Sequence, residues 1–175
     1  MELTKMKEFE NKVVLITGGA DGIGKGCVMR FAEQGATVII GDIQSDKGHA
    51  LADEIGASAR FVHLDVTDDQ AWQNAVALIT REFGALHILV NNAGVSSRTT
   101  IEDLDLAGWR AIHAVNLDAI FLGSHHAIPL IHASGGGSIV TISSALGIKP
   151  FASYPAYCSA KAAARVTSSP KGSLH

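Results

Sequence analysis

The sequence feature that most restricts the fold of this chain is an apolar segment followed by a glycine-rich turn and a helical segment. Residues 13–16 form an apolar run typical of a buried parallel strand, and residues 25–34 have the pattern of a helix. Between them lie Gly18, Gly22 and Gly24, a spacing that differs from the common G-x-G-x-x-G fingerprint. Free backbone N–H groups at a helix start attract an anion, and glycines let it approach closely. Such a loop can be a simple tight turn, but the flanking strand and helix favour a nucleotide-binding loop.

A second apolar run, residues 37–42, ends in a carboxylate, that of Asp42. It lies about 20 residues beyond the glycine loop, where a dinucleotide fold places an acid that accepts hydrogen bonds from the adenosine ribose. The same charge would repel a 2′-phosphate, and Ala20, Asp21 and Ile43 supply no cation to bind one. The pattern therefore predicts NAD rather than NADP. The alternative is a solvated acid at a strand end.

Composition limits the class of protein. An apolar content of 47% with 18% charged residues is typical of a soluble globular protein and excludes a disordered chain. A net charge of −3 without a basic cluster gives no support to a nucleic-acid or membrane partner. Cys27 and Cys158 lie far apart and lack metal or redox spacing, which predicts unpaired thiols in the cytoplasm. The N-terminus does not resemble a signal peptide, and no apolar run approaches the length of a membrane helix.

Strand-like and helix-like segments alternate along the chain. This alternation predicts an α/β fold with a doubly wound parallel sheet of the Rossmann type, with helices on both faces. The predicted strands are residues 13–16, 37–42, 60–64, 86–90 and 138–142. We expect a single domain over residues 1–169 and a disordered tail over residues 170–175. The carboxyl ends of these strands carry polar residues, and ligands bind at that edge of such sheets: Thr17, Asp42, Asp65 and Asn91.

Three helices after the fourth strand carry more specific predictions. Residues 103–112 are expected to form a helix with the Trp109 indole in the core. A longer helix over residues 115–131 contains Pro129, which predicts an end or a kink there. The last helix is expected to begin with Pro155 at its first position and to fade near residue 168.

Tyr157 and Lys161 are four residues apart, so they share one face of that last helix. A lysine ammonium near a phenol favours the phenolate and makes the tyrosine a candidate general base. Ser144 follows the fifth strand at the ligand-binding edge, where its hydroxyl can hydrogen-bond the reacting oxygen. Most tyrosine and lysine residues that are four apart on a helix simply face solvent. Here the pair gains meaning from lying downstream of the predicted cofactor loop.

These segments together resemble the short-chain dehydrogenase/reductase family, including its hydroxysteroid-type members. The matching pieces are Thr17-Gly18-x-x-x-Gly22-Ile23-Gly24, Asp65-Val66, Asn91-Asn92-Ala93-Gly94, Asn116, Ser143-Ser144 and Tyr157-x-x-x-Lys161. The resemblance implies that Tyr157 is the catalytic acid/base and that Ser144 positions the substrate oxygen. It implies that Lys161 binds the nicotinamide ribose and that Asn116 holds a water in a proton relay. The cofactor-binding residues that it implies are Gly18, Asp21, Gly22, Ile23, Gly24, Asp42, Ile43, Asp65, Val66, Asn92, Ala93, Gly94, Tyr157 and Lys161.

The implied reaction is reversible hydride transfer between NAD and a secondary alcohol or ketone. Leu146, Phe151 and Tyr154 near the catalytic residues suggest a small apolar substrate. Family members pair two long helices across a subunit interface, here residues 115–131 and 155–168, which implies a homo-oligomer.

One departure from the family is that the two further strands and the substrate-covering segment are missing after the Tyr-x-x-x-Lys helix. The chain therefore resembles a truncated member, and we expect weakened NAD binding and reduced turnover. The alternative is a non-catalytic remnant that binds nucleotide or associates with itself. His125, His126 and His132 lie near one another in sequence but lack ligand spacing, so no metal site is predicted.

Overall fold

The computed structural model describes residues 7–167, which contain every predicted strand and helix except the end of the last helix at residue 168. The predicted tail, residues 170–175, lies outside this range. The strands are β1 (Val13–Thr17), β2 (Thr37–Asp42), β3 (Ala59–His63), β4 (Ile88–Asn91) and β5 (Ser138–Thr141). The helices are α1 (Gly22–Glu33), α2 (Ser45–Ile55), α3 (Asp69–Phe83), α4 (Leu106–His113), α5 (Ala119–Ala133) and α6 (Pro155–Thr167). A π-helical turn (Ala114–Asp118) joins α4 to α5, and a short 3-10 turn (Ala145–Gly147) follows β5.

The five strands form one parallel sheet in the order β3-β2-β1-β4-β5. Strand order reverses between β1 and β4, so the crossovers to either side place helices on opposite faces. Val13 and Leu15 of β1 pack in one core with α3 and α5. Val14 and Ile16, which point the other way, pack in a second core with α1 and α2. The predicted doubly wound sheet is confirmed.

Two helix boundaries differ from those the sequence predicts. Helix α1 begins at Gly22, three residues earlier than predicted, because the Asp21 carboxylate caps it by accepting a hydrogen bond from the Gly22 N–H at 2.7 Å. Helix α5 runs through Pro129 to Ala133, so of the two predicted outcomes the helix end is wrong and the kink stays a prediction. Pro129 and His125, whose carbonyl loses its helical partner, both lie on the exposed face, where water can hydrate that carbonyl.

The region before the long helix also differs from expectation. Helix α4 begins at Leu106 rather than at residue 103, since the Asp105 carboxylate caps it through the Gly108 N–H at 2.7 Å. Trp109 is only half-buried and stacks on His113 with ring centroids 4.3 Å apart, so its predicted place in the core is wrong. The large indole in the core is instead that of Trp72, which is fully buried.

Strand β5 pairs only with β4 among the described strands, which makes it an edge of the sheet, as expected. Its residues alternate between exposed and half-buried, and Val140 is 43% exposed. None of the described helices is long and apolar enough to cross a membrane.

Candidate active site

A cleft of about 540 Å³ lies at the carboxyl ends of the strands and brings together most of the residues singled out from sequence. Its lining includes Gly18, Asp21, Gly22, Ile23, Asp42, Ile43, Asp65, Val66, Asn92, Ala93, Gly94, Tyr157 and Lys161. Three predicted site residues do not line it, namely Gly24, Asn116 and Ser144. The rule that parallel sheets bind ligands at this edge therefore locates the cleft correctly.

The glycine loop at one end of the cleft depends on the absence of side chains. Gly18 and Gly22 have positive φ angles of 60° and 53°, which ordinary side chains rarely adopt. Space next to Gly22 is open, with no atom within 4 Å of where a Cβ would lie. Gly24 contributes differently, because a Cβ there would lie 1.9 Å from the Gly18 carbonyl oxygen. Gly24 thus holds the helix start against the loop without touching the cleft.

Asp42 ends β2 beside this loop and is 5% exposed. One of its carboxylate oxygens accepts a hydrogen bond from the Ala20 N–H and the other from the Gln44 N–H, each at 3.0 Å. Each oxygen retains a lone pair, so the carboxylate can accept further bonds from the direction of the cleft. The fixed backbone donors hold its orientation.

The loop after β3 forms the next part of the wall. Asp65 accepts hydrogen bonds from the Thr67 hydroxyl at 2.7 Å and the Thr67 N–H at 2.9 Å. These bonds hold the pKa of Asp65 below its usual value. Val66, which follows, is fixed from behind because the Trp72 indole N–H donates to its carbonyl at 3.0 Å.

Thr17 and Asn92 join the glycine loop to the segment after β4. The Asn92 side-chain amide donates to the carbonyls of Thr17 at 2.8 Å and Gly18 at 3.1 Å. The Thr17 hydroxyl accepts from the backbone N–H groups of Asn92 and Ala93 and donates to the Val90 carbonyl. This network fixes the floor of the cleft.

Lys161 enters the other end of the cleft from α6 and is only 4% exposed. Its ammonium donates to the Ile142 carbonyl at 2.8 Å and lies 5.8 Å from the centre of the Tyr157 ring. Burial lowers the pKa of Lys161 below its ordinary value. Ser143 supports the helix by donating to the Lys161 carbonyl at 2.8 Å.

Asn116 lies behind Lys161 in the π-helical turn and is fully buried. Its side-chain N–H groups donate to the carbonyls of Val95 and Ile112, both at 2.8 Å. Its Oδ1 has no hydrogen-bond partner, and a Cβ on Gly94 would lie 2.9 Å from that oxygen and 3.4 Å from the Lys161 Nζ. The Asn116 Oδ1 is therefore a buried hydrogen-bond acceptor near the Lys161 ammonium.

Ser144 lies at the start of the 3-10 turn, where its hydroxyl accepts from the Leu146 N–H at 3.2 Å. Leu146 and Phe151 line a second hollow of about 900 Å³, beside Cys158 and Ser159 of α6. The apolar neighbours named from sequence are thus not part of the main cleft.

A comparison with families of known proteins settles the relationship. The family model for short chain dehydrogenase matches residues 12–169. The chain belongs to the short-chain dehydrogenase family. Its relatives include the 2,5-dichloro-2,5-cyclohexadiene-1,4-diol dehydrogenase LinX of Sphingobium indicum, 46% identical over 90% of this chain and 64% of the relative. The 3-alpha-(or 20-beta)-hydroxysteroid dehydrogenase of Mycobacterium tuberculosis is 42% identical over 88% of this chain and 59% of the relative.

A solved structure, the crystal structure of gox2181, shares the fold with a TM-score of 0.88. Its sequence is 30% identical, and the match covers 91% of this chain and 64% of the other. The chain therefore spans about 64% of the length of LinX and of the gox2181 chain.

Six residues that line the cleft were not singled out from the sequence: Gln44, Leu64, Val95, Ser96, Val115 and Ile142. Leu64 and Ile142 are the last residues of two predicted strands and Gln44 lies two residues beyond another, so the same strand-end rule could have found them. Val95 and Ser96 lie in a segment without regular structure, and no sequence signal indicates them. Among residues 7–167, no group of three metal-ligating side chains could hold a metal ion.

Proposed function

We propose that this chain is an NAD(H)-dependent oxidoreductase that interconverts a secondary alcohol and a ketone by hydride transfer. The observation that carries the proposal is that one cleft is lined by the glycine loop and Asp42 at one end and by Tyr157 and Lys161 at the other. A nucleotide-binding loop alone would favour many functions. A phenol and a buried ammonium at the far end of the same cleft favour acid–base chemistry on a carbonyl or alcohol oxygen.

The lining fits a nicotinamide dinucleotide. Open space beside Gly22 leaves room for a pyrophosphate at the start of α1, where helix N–H groups favour an anion. The spare lone pairs of Asp42 suit ribose hydroxyls, and its charge disfavours a 2′-phosphate, so NAD is proposed over NADP. Asp65 and Val66 are proposed to bind the adenine, and residues 92–94 to lie along the cofactor. When bound, the cofactor would accept or donate the hydride.

Tyr157 is the proposed acid/base, exchanging a proton with the substrate oxygen. The Lys161 ammonium, 5.8 Å from the Tyr157 ring, would favour the phenolate by its charge. The Ile142 carbonyl fixes that ammonium at 2.8 Å, so the charge is held in one position. Holding a charge in place before reaction avoids reorganisation during it.

Asn116 and Ser144 complete the proposed catalytic set. The unpaired Oδ1 of Asn116 is a buried acceptor that could hold a water against Lys161 and so return protons from solvent. Ser144 is proposed to hydrogen-bond the substrate oxygen. This requires its hydroxyl to turn away from the Leu146 N–H, a bond of 3.2 Å.

The proposed substrate is a small apolar cyclic alcohol or its ketone. Two further relatives are named cyclohexanol dehydrogenase, from an Acinetobacter species, and cyclopentanol dehydrogenase, from a Comamonas species; their identities are 36% and 37%. We also propose a homo-oligomer formed through α5 and α6. The exposed Phe121 and Ile128 on α5 are apolar side chains that such an interface would cover. The unpaired Cys27 and Cys158 are consistent with the proposed cytoplasmic location.

We expect weaker NAD binding and lower turnover than in the longer relatives. Strand β5 is an edge of the described sheet, with Val140 43% exposed, and Ile142 and Ser143 after it line the cleft, where entering water would weaken the electrostatics. The same edge favours a second candidate function, a nucleotide-binding or self-associating protein without catalysis.

Thermal unfolding with and without NAD and NADP tests the proposal. A ligand at about a hundred times its Kd stabilises the native state by about 2.7 kcal/mol, so NAD should raise the melting temperature while NADP does not. Oxidation of cyclohexanol and of a hydroxysteroid, followed through reduced nicotinamide, should then give slow turnover. Tyr157→Phe should keep the NAD shift and abolish turnover. A shift without turnover in the unaltered chain would favour the non-catalytic candidate, and no shift with either dinucleotide would reject the cofactor site.

A further inference from the structure

A half-buried imidazole outside the cleft joins helix α4 to helix α6. His113 is the last residue of α4, and its Nε2 lies 3.0 Å from the hydroxyl oxygen of Ser159 in α6. Its Nδ1 lies 2.9 Å from the Trp109 carbonyl oxygen, and its ring stacks on the Trp109 indole with centroids 4.3 Å apart. Two hydrogen bonds and one ring contact therefore fix both the position and the orientation of the imidazole.

The groups around His113 determine which of its nitrogens carries the hydrogen. A carbonyl oxygen can only accept, so the bond to Trp109 requires the hydrogen on Nδ1. In the neutral imidazole Nε2 is then an acceptor, and the Ser159 hydroxyl donates to it. The other acceptor within reach of that hydroxyl, the Ala156 carbonyl at 2.9 Å, belongs to the same helix as Ser159. The bond to His113 is thus the one by which Ser159 connects α6 to α4.

Ser159 lies on the side of α6 that faces away from the cleft. It is two residues from Tyr157 and two from Lys161, and side chains two residues apart on a helix point about 200° apart. Tyr157 and Lys161 both line the cleft, whereas Ser159 lines the second hollow. The bond to His113 therefore holds the back of the helix whose front carries the proposed acid–base pair.

His113 is also directly connected to the π-helical turn that holds Asn116. The turn begins at Ala114, and the Asn116 side-chain amide donates to the carbonyl of Ile112, the residue before His113, at 2.8 Å. A Cβ on Gly94 would lie 2.9 Å from the Asn116 Oδ1 and 3.4 Å from the Lys161 Nζ, so these two groups approach each other across Gly94. They come from two different elements, which the bond between His113 and Ser159 ties together.

We propose that His113 is a positioning residue for the acid–base end of the cleft, because its bond to Ser159 sets how closely the Asn116 turn approaches α6. His113 does not line the cleft, so it acts through Asn116 and Lys161 rather than on the substrate or the cofactor. The inference rests on the proposed function, and it adds a residue that lies outside the motifs matched in the sequence.

Titration of Lys161 measures this positioning without requiring turnover. The pKa is followed by NMR with isotope-labelled lysine, and the signal is assigned by its absence in Lys161→Met. Burial lowers the pKa of Lys161 in the unaltered chain. His113→Leu removes both hydrogen bonds of the imidazole, so water should reach the ammonium more easily. We expect the pKa of Lys161 to rise towards its ordinary value, with proton binding about tenfold stronger than in the unaltered chain.

Three further variants separate positioning from a general loss of stability. His126→Leu is the matched control, because His126 of α5 lies 2.7 Å from the Asp69 carboxylate of α3 and so joins two helices away from the cleft. It should lower the free energy of unfolding in urea while leaving the pKa of Lys161 unchanged. Ser159→Ala, a smaller change, should reproduce the effect of His113→Leu on that pKa. The double variant should add little, since the two residues form one bond.

Turnover of cyclohexanol and binding of ADP-ribose give a second readout. His113→Leu should lower kcat about tenfold through misplacement of the acid–base groups, and it should leave the Kd of ADP-ribose unchanged. An unchanged Lys161 pKa in both His113→Leu and Ser159→Ala, or an equal change in His126→Leu, would overturn the inference. A kcat equal to that of the unaltered chain would overturn it as well. Failure of the unaltered chain to bind ADP-ribose or to oxidise alcohols would instead reject the proposed function, and the Lys161 titration would still decide the role of His113.

Discussion

Gly24 is the position where adding one methyl group should do the most damage to the cofactor loop. A Cβ there would lie 1.9 Å from the Gly18 carbonyl oxygen and 2.6 Å from the Asn92 side-chain nitrogen. Ordinary contact begins at 3.4 Å, so the loop and the helix must separate by about 1.5 Å. The Asn92 side-chain amide donates to that same carbonyl at 3.1 Å, so a shift of the Gly18 carbonyl away from Gly24 would lengthen or break this hydrogen bond.

The expected cost follows from these contacts. Overpacking a tight site costs about 1–3 kcal/mol, and loss of a partly buried hydrogen bond adds about 1–2 kcal/mol. We therefore expect Gly24→Ala to lower the free energy of unfolding by about 2–5 kcal/mol, measured by urea denaturation. Displacement of the loop should also remove the stabilisation by NAD.

Gly26 provides a matched control two residues along the same helix. A Cβ at Gly26 would meet no atom within 4 Å, and its φ angle is that of an ordinary helix. Gly26→Ala should therefore stabilise the chain by about 0.5–1 kcal/mol through helix propensity alone. If Gly24→Ala and Gly26→Ala prove equally stable and bind NAD equally well, the close approach of α1 to the loop is not what constrains this position.

Three further predictions concern stability and the site. Trp72→Phe should cost about 2–4 kcal/mol in urea denaturation and weaken ADP-ribose binding, because it removes the bond to the Val66 carbonyl and leaves a cavity; unaltered ADP-ribose binding would contradict the link to the loop. The Val13 N–H donates to His87 Nδ1, and burial lowers the pKa of His87, so the unfolding free energy should fall as pH drops below about 6.5, a slope reduced in His87→Gln. Equal slopes in both proteins would refute this assignment. Lys161→Met should raise the unfolding free energy at neutral pH while abolishing turnover, because burial disfavours the ammonium. Because the pKa of Lys161 is lowered on folding, the free energy of unfolding of the unaltered chain should rise with pH between that lowered pKa and about 10.4. The stability advantage of Lys161→Met over the unaltered chain should therefore shrink across that pH range.

Local sequence rules predict the fold well where a boundary depends on adjacent residues. Strand β2 has the predicted bounds, Thr37–Asp42. Helix α3 is capped by Asp68, whose carboxylate accepts from the Gln70 N–H, and ends at Gly84 in a left-handed conformation, both of them residue types that favour helix ends. Each of these boundaries is fixed by a cap or turn that lies within a few residues.

The rules fail where distant contacts decide. Pro129 indicates a helix end, yet its position on the exposed face lets α5 continue. The large apolar indole of Trp109 predicts a place in the core, but the indole that is fully buried there is that of Trp72. Residue propensities do not show which face of a helix or strand packs against the rest of the protein.

The candidate site shows the same division. Strand ends predict Asp42 and Asp65, because the parallel sheet carries these ends to one edge, whereas Thr17 and Asn91, named by the same rule, do not line the cleft. Val95 and Ser96 line the cleft but could not be predicted, because they lie in a segment without regular structure whose path depends on its packing. The position of Ser144 outside the lining likewise follows from a short turn that its sequence does not specify.

Several departures from local rules meet at the one cleft. A glycine-rich segment begins a helix, a π-helical turn holds the buried Asn116, and Lys161 is buried against a carbonyl oxygen. Each feature costs stability in isolation, and structures retain such costs mainly where they serve a function. The orphaned Oδ1 of Asn116 and the ammonium of Lys161 lie on either side of Gly94, where a side chain would have little space. Lys161 lines the cleft and Asn116 lies behind it across Gly94, so two of these costs meet at the end of the cleft where the acid–base chemistry is proposed.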